Sequence, residues 1–202
     1  MSTTRLPAEE RRAALLDCAC RAFADGTYKG TTTAQIAREA GVTEPILYRH
    51  FESKRDLYLS CLRESWRRMQ ARWDEVVADE PDPRLWIAVM GRAFLESQAR
   101  RPVVSNLWIQ ALAESSEDRE IARYMRKHMR EVHRYVTSVM RRAQAEAALP
   151  SDRDPEAEAW IFLGLGLLSM ADRAVGGVMN DMWPEIRRSR LRWLTADAVD
   201  SL

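Results

Sequence analysis

The sequence predicts an all-α protein: an N-terminal three-helix head followed by a larger helical body. Three observations carry this. No run of alternating β-branched residues bounded by turns occurs, apolar residues recur at helical spacing, and helix start and stop residues punctuate the chain. At 202 residues, with 46% hydrophobic and 30% charged side chains, the chain is large enough to bury a sizeable core.

The head is most legible between residues 31 and 54. Thr33 offers a hydroxyl to the free N–H groups of a helix beginning at Ala34, and Ile36, Ala37 and Ala40 give that helix an apolar stripe. Gly41 ends it, because glycine accepts the left-handed backbone needed to turn sharply into a second helix. Thr43 caps the second helix, and Pro45 falls in its first turn, where a missing N–H costs nothing. Ile46, Leu47 and Phe51 are then expected to face inward, with Glu44, Tyr48, Arg49 and His50 outward. A short helix so lined suits insertion into a DNA major groove about 12 Å wide. On spacing alone, an ordinary helical hairpin fits as well.

The residue order adds to this. From about Arg12 to Leu59 the chain resembles the TetR family of bacterial transcriptional regulators. The likeness lies in Ala-Phe-Ala-Asp-Gly-Thr-Tyr at 22–28, the threonines at 31–33, Ile36-Ala37, Ala40-Gly41-Val42, Leu47-Tyr48-Arg49-His50-Phe51 and Ser53-Lys54. The resemblance implies a helix-turn-helix DNA-binding domain over 1–52 and a helical ligand-binding and dimerisation domain over 53–202. It implies that Thr33, Thr43, Tyr48 and Lys54 touch phosphates, and that Glu44, Pro45, Arg49 and His50 lie near base edges or the adjoining backbone. Hydroxyl and ammonium donors suit phosphate oxygens, which fix register without reading sequence. Glu44 and Pro45 depart from the family pattern; a carboxylate can accept from cytosine N4, and a proline ring can rest on a thymine methyl.

In the body, Ser53 caps the next helix with Asp56 in the reciprocal position, and no Gly- or Pro-rich linker separates head from body. Trp66, Met69 and Trp73 share a face of that helix, which Pro81 and Pro83 end. Trp86, Met90 and Phe94 recur four apart on the following one. Arg101-Pro102 breaks the chain before Trp108 and Leu112, and Ile121, Met125, Val132, Val136 and Val139 form a stripe on a long helix ending near Leu149-Pro150. Such stripes are most often plain core. Together with the polar Asn106, Gln110, Tyr124 and His128, they also offer the walls of a small-molecule pocket, which the resemblance implies. The candidate ligand-binding residues are Trp66, Met69, Trp86, Met90, Phe94, Trp108, Gln110, Tyr124, Met125 and His128, for a largely apolar effector.

Asp154 as cap and Pro155 as first residue start an apolar helix that Gly176-Gly177 end. Apolar on every side, it needs a second partner surface, and another copy of the chain supplies one. A helix from about Pro184 to Val199, with Ile186, Leu191, Leu194 and Ala198, packs beside it in a symmetric four-helix bundle. The expected dimer residues are Trp160, Leu163, Leu167, Met170, Leu191 and Leu194. A two-fold protein sets its reading helices roughly 34 Å apart, one turn of duplex.

Other classes are disfavoured. The chain carries net charge +1, and up to Asp56 nine basic residues face eight acidic ones, so no basic patch exists by composition. The apolar run from Ala159 to Ala171 is shorter than the ~20 residues of a membrane span, and no apolar leader follows the N-terminus. There is no phosphate-binding glycine loop and no metal-ligand spacing; as a metal pair His128 and His133 fall out of line and read as surface residues. No catalytic residues, metal or cofactor are expected. Cys18, Cys20 and Cys61 form no disulfide framework, which suits a reducing cytoplasm, and redox sensing is the lesser reading against buried small side chains. Two functions stay open: a dimeric transcriptional regulator, read as a repressor, that a small effector releases from an inverted-repeat operator in double-stranded DNA, or a helical protein-interaction module.

Overall fold

The structure, a computed structural model, describes residues 8–100 and 102–195, and among these it is helical with no strand, as the sequence predicts. Its helices are α1 (Ala8–Asp25), α2 (Thr33–Glu39), α3 (Glu44–Tyr48), α4 (Lys54–Ala78), α5 (Trp86–Arg100), α6 (Val103–Glu114), α7 (Arg119–Ala145), α8 (Pro155–Ala174) and α9 (Trp183–Thr195), with a 3₁₀ turn at Pro83–Leu85. Arg101, Ala198 and Val199, where the sequence placed a break and the end of the last helix, lie outside the described residues.

The chain forms two compact units, Met1–Arg68 with Arg101–Met125, and Met69–Arg100 with Arg126–Leu202. The divisions run inside α4 and α7, so the boundary read at 52/53 does not coincide with them, and α6 groups with the head. In the first unit Phe23, Ile36, Leu47, Leu57, Tyr58 and Leu107 are fully buried. Phe23 meets Tyr58 edge-on at 5.1 Å, and the Tyr58 hydroxyl donates to the Leu107 carbonyl at 2.8 Å. Helix α6 also caps the end of α1: Asn106 donates to the Ala24 carbonyl at 2.9 Å, and Gln110 to those of Phe23 and Gly26 at 3.0 Å each. Carbonyls in a last helical turn lack intrahelical donors, and these amides supply them. All three cysteines are buried and unbridged; burial pushes the Cys18 and Cys61 thiols up, away from the reactive thiolate.

In the second unit the Trp73 indole donates to the Met90 carbonyl at 3.0 Å, stacks on Tyr135 at 5.8 Å and meets Phe162 edge-on at 5.7 Å. Helix α8 starts as expected, with the Asp154 carboxylate accepting from the N–H groups of Glu156 and Ala157. It ends where Gly176 and Gly177 take φ of 93° and 82°. Beside it Glu158 pairs with Arg190, accepts from the Trp193 indole at 3.3 Å, and Arg153 lies 4.0 Å over the Trp193 ring.

The surface reading of the histidines is corrected at His128, which is 1% exposed. It sits in the buried stripe of α7, four residues before Val132, so packing rather than solvent claims it. Burial draws its pKa from 6.5 to about 4. The folded pKa is thus below the unfolded one: the stabilisation from keeping His128 neutral is present above pH 6.5 and is lost as pH falls towards 4. We expect His128→Gln to flatten the pH dependence of urea-unfolding stability across that window; an unchanged slope would show that other groups set it.

Candidate nucleic-acid interface

Helices α2 and α3 are joined by a tight turn. Val42 N–H reaches the Ala37 carbonyl at 2.9 Å and Gly41 N–H the Arg38 carbonyl at 3.1 Å, with Gly41 at φ 69°, so the last carbonyls of α2 are satisfied as the chain reverses. The glycine assignment therefore holds. The cap assignments need correction. Thr32, not Thr33, caps α2, its hydroxyl accepting from Gln35 N–H at 3.1 Å, and Thr33 is the first helical residue. Thr43 does occupy the cap position of α3 with extended backbone, but its side chain makes no capping hydrogen bond.

Thr33 instead joins the two helices. Its hydroxyl donates to the Glu44 carboxylate and lies 3.0 Å from the Tyr48 hydroxyl. Glu44 is consequently half-buried rather than outward, while Tyr48 is 44% exposed and Pro45 and Arg49 are exposed. Leu47 and Phe51 are buried as expected; Ile46 and His50 are intermediate. The face that α3 presents is thus Pro45, Tyr48 and Arg49, with Glu44 at its edge.

Lys54 stands at the start of α4, where Ser53 caps the helix by accepting from Asp56 N–H at 3.0 Å. The reciprocal bond goes one residue early, from Glu52 N–H to Asp56 at 3.2 Å. Lys54 donates to the Lys29 carbonyl at 3.2 Å, and its ammonium lies 5.0 Å from the centre of the Tyr28 ring. Burial draws its pKa down, yet two N–H donors are left for a phosphate. Several other cations of this unit are already paired: Lys29 with Glu114 and Glu117, Arg55 with Asp118 and Glu120. Arg38 and Arg49 are exposed and have no ion pair among the described residues. Sequence reading passed over Arg38; its place on the outward side of α2, beside the buried Ile36-Ala37 pair, was the available signal.

The other candidates are more scattered. Trp66, Trp108, Gln110, Tyr124 and Met125 belong to the first unit, and Met69, Trp86, Met90, Phe94 and His128 to the second. The Gln110 amide is committed to the end of α1, and the Trp86 indole donates to the Glu80 carbonyl with Arg142 over its ring at 4.9 Å. Of the dimer candidates, Leu163, Met170 and Leu194 turn into the core of the second unit, and Leu167 and Leu191 are half-exposed. Helix α8 is therefore not apolar-buried all round. Trp160, Ile161, Gly164 and Leu168 form an exposed apolar face on it, at 46%, 45% and 41% exposure for the three large residues, and Trp193 of α9 is similarly exposed.

Residues 15–61 match the family described as bacterial regulatory proteins, tetR family, and residues 83–165 that of the BetI-type transcriptional repressor, C-terminal. The HTH-type transcriptional regulator TtgR of Pseudomonas putida is 31% identical over 162 residues, 76% of this chain and 75% of that protein. The chain belongs to the TetR family. A further relative, the HTH-type transcriptional activator FasR of Mycolicibacterium smegmatis, is 33% identical over 110 residues, 52% of this chain and 50% of FasR, so the match spans half of that protein's length. The transcriptional regulator FadR from Bacillus subtilis, solved in complex with stearoyl-CoA, shares the fold at a TM-score of 0.74, with 15% identity over 91% of this chain and 97% of FadR. TetR-family proteins are DNA-binding transcriptional regulators and not enzymes. No helix among the described residues is long and apolar enough to cross a membrane.

Proposed function

We propose that this TetR-family protein is a cytoplasmic, dimeric repressor that holds an inverted-repeat operator with one α3 per copy and leaves it when a small, largely apolar effector binds. The observation that carries the proposal is the fixed α3 face: Tyr48 and Arg49 exposed, Arg38 exposed on α2 with no ion pair among the described residues, and the pair of helices tied by Thr33, Glu44 and Tyr48. The exposed apolar face of α8 supports dimerisation, because an apolar stripe on a helix surface calls for a covering partner. The BetI-type match over 83–165 supports repression, and the stearoyl-CoA bound by FadR supports an effector with a long apolar part. FasR, a named activator, keeps the sign of regulation a matter for in vitro transcription with and without the protein.

Selection of bound fragments from randomised DNA at moderate salt tests the reading. The expected result is an enriched inverted repeat with half-sites about one helical turn apart; a library that stays random would overturn it. On the selected operator, Lys54→Ala and Tyr48→Phe are expected to weaken binding about tenfold whatever the sequence, the first by removing a phosphate donor and the second by removing the exposed hydroxyl that now donates to Thr33 and would turn to a phosphate. Glu44→Ala should instead relax preference at one base pair. Three unchanged affinities, measured by anisotropy, would remove α3 from the groove.

A further inference from the structure

The second unit holds a cleft of about 410 Å³ that none of the effector candidates lines. Leu95 and Gln98 of α5 form one side, Ser169 and Asp172 of α8 the floor, and Asn180 and Trp183 the far wall. The volume is in the range of small-molecule sites. Asp172 is the feature that calls for a ligand. It is 6% exposed, and among the described residues it has no cationic partner. Its two oxygens accept one hydrogen bond each, from Met179 N–H at 2.8 Å and from the Trp183 indole N–H at 2.9 Å. Both donors are neutral, and each carboxylate oxygen has a second lone pair, so two acceptor positions and a whole negative charge are left in a sheltered place.

The surroundings match a cation better than an anion. Trp183, whose indole edge donates to the carboxylate, adds aromatic surface to the lining, and Leu95 an apolar one. Gln98 is buried and donates to the Ser169 hydroxyl at 3.1 Å, which donates on to the Gly166 carbonyl at 2.7 Å, so the floor is held rigid. Asn180 lies close over Gly177: a Cβ there would collide with its amide nitrogen, and glycine at φ 82° leaves that room. Arg173 stands at the rim, exposed, where water screens its charge; it disfavours a ligand carrying a second positive charge.

We propose that this cleft binds a small organic monocation, a protonated amine with an apolar tail, whose N–H groups bond Asp172 and whose tail lies against Trp183 and Leu95. The site is independent of the operator reading, and its test reads binding to the protein alone. Phenethylammonium titrated into the full chain and followed by calorimetry is expected to bind saturably, and phenylpropionate, of the same shape and opposite charge, is not. Asp172→Asn should weaken the amine by about tenfold or more, since it removes the charge and one acceptor. Because that change could disturb the Gly176-Gly177 turn, Asn180→Lys serves as the second variant. Asn180 is exposed, and a lysine there places a competing ammonium in the cleft with the melting temperature unchanged. Phenyltrimethylammonium, which has no N–H to donate, should bind several-fold more weakly. Absence of saturable amine binding, equal binding of phenylpropionate, or an amine affinity untouched in both variants would each overturn the proposal.

Discussion

Leu168→Glu is expected to leave the protein monomeric and to lower operator affinity by about a hundredfold or more, because a dimer engages its second half-site as a tethered rather than a free event. Leu168 closes the exposed α8 face, with Gly164 one turn and Trp160 and Ile161 about two turns before it. At 41% exposure it contributes little to the folded single chain, so a glutamate there meets water in the monomer and a buried apolar surface in the dimer. Sedimentation velocity gives the state of association and an operator titration the affinity, with circular dichroism confirming intact helices. A variant that is still dimeric would move the interface off this face; a monomer that binds the full operator as tightly as wild type would dismiss the two-fold mode of binding.

Glu158→Ala is expected to cost about 3–5 kcal/mol in urea unfolding, the range found when one member of a buried ion pair is removed. The Glu158 and Arg190 side chains are 9% and 19% exposed, and Arg190 would be left sheltered without its carboxylate. Trp193 would also lose the acceptor of its indole N–H. The double change Glu158→Leu with Arg190→Met should recover most of the loss, since it leaves no charge stranded. A single variant within about 1 kcal/mol of wild type would show that water reaches the pair and screens it.

The sequence made the local features readable where a single residue type meets a single backbone demand. Gly41 at φ 69°, Asp154-Pro155 at the start of α8 and the glycines at its end all fall where capping chemistry alone places them. It failed where chemistry was shared or distant. Thr32 and Thr33 carry the same hydroxyl, and the choice of Thr32 as cap goes with the use of Thr33 by Glu44 and Tyr48, residues 11 and 15 further on. The Gln110 amide was taken for a pocket donor, and it serves the carbonyls of Phe23 and Gly26, at and just past the end of α1, 87 and 84 residues away. His128 was legible after all: Ile121, Met125, His128, Val132, Val136 and Val139 follow one buried stripe at steps of three and four, whereas the surface reading weighed only its misalignment with His133. The exposed half of α8 could not be read, since a run of apolar residues does not say which of them its own chain will cover.

The hydroxyl of Thr33 has one more consequence. Helix α3 is five residues long, and a peptide of that length does not stay helical in water. In this protein the turn at Gly41, the buried Leu47 and the Thr33 link to Glu44 and Tyr48 hold it ready. The ordering entropy that many DNA-reading segments meet on contact is thus met during folding. Operator binding should then proceed without the large negative heat-capacity change of coupled folding, and its association rate should follow salt and charge rather than a conformational step.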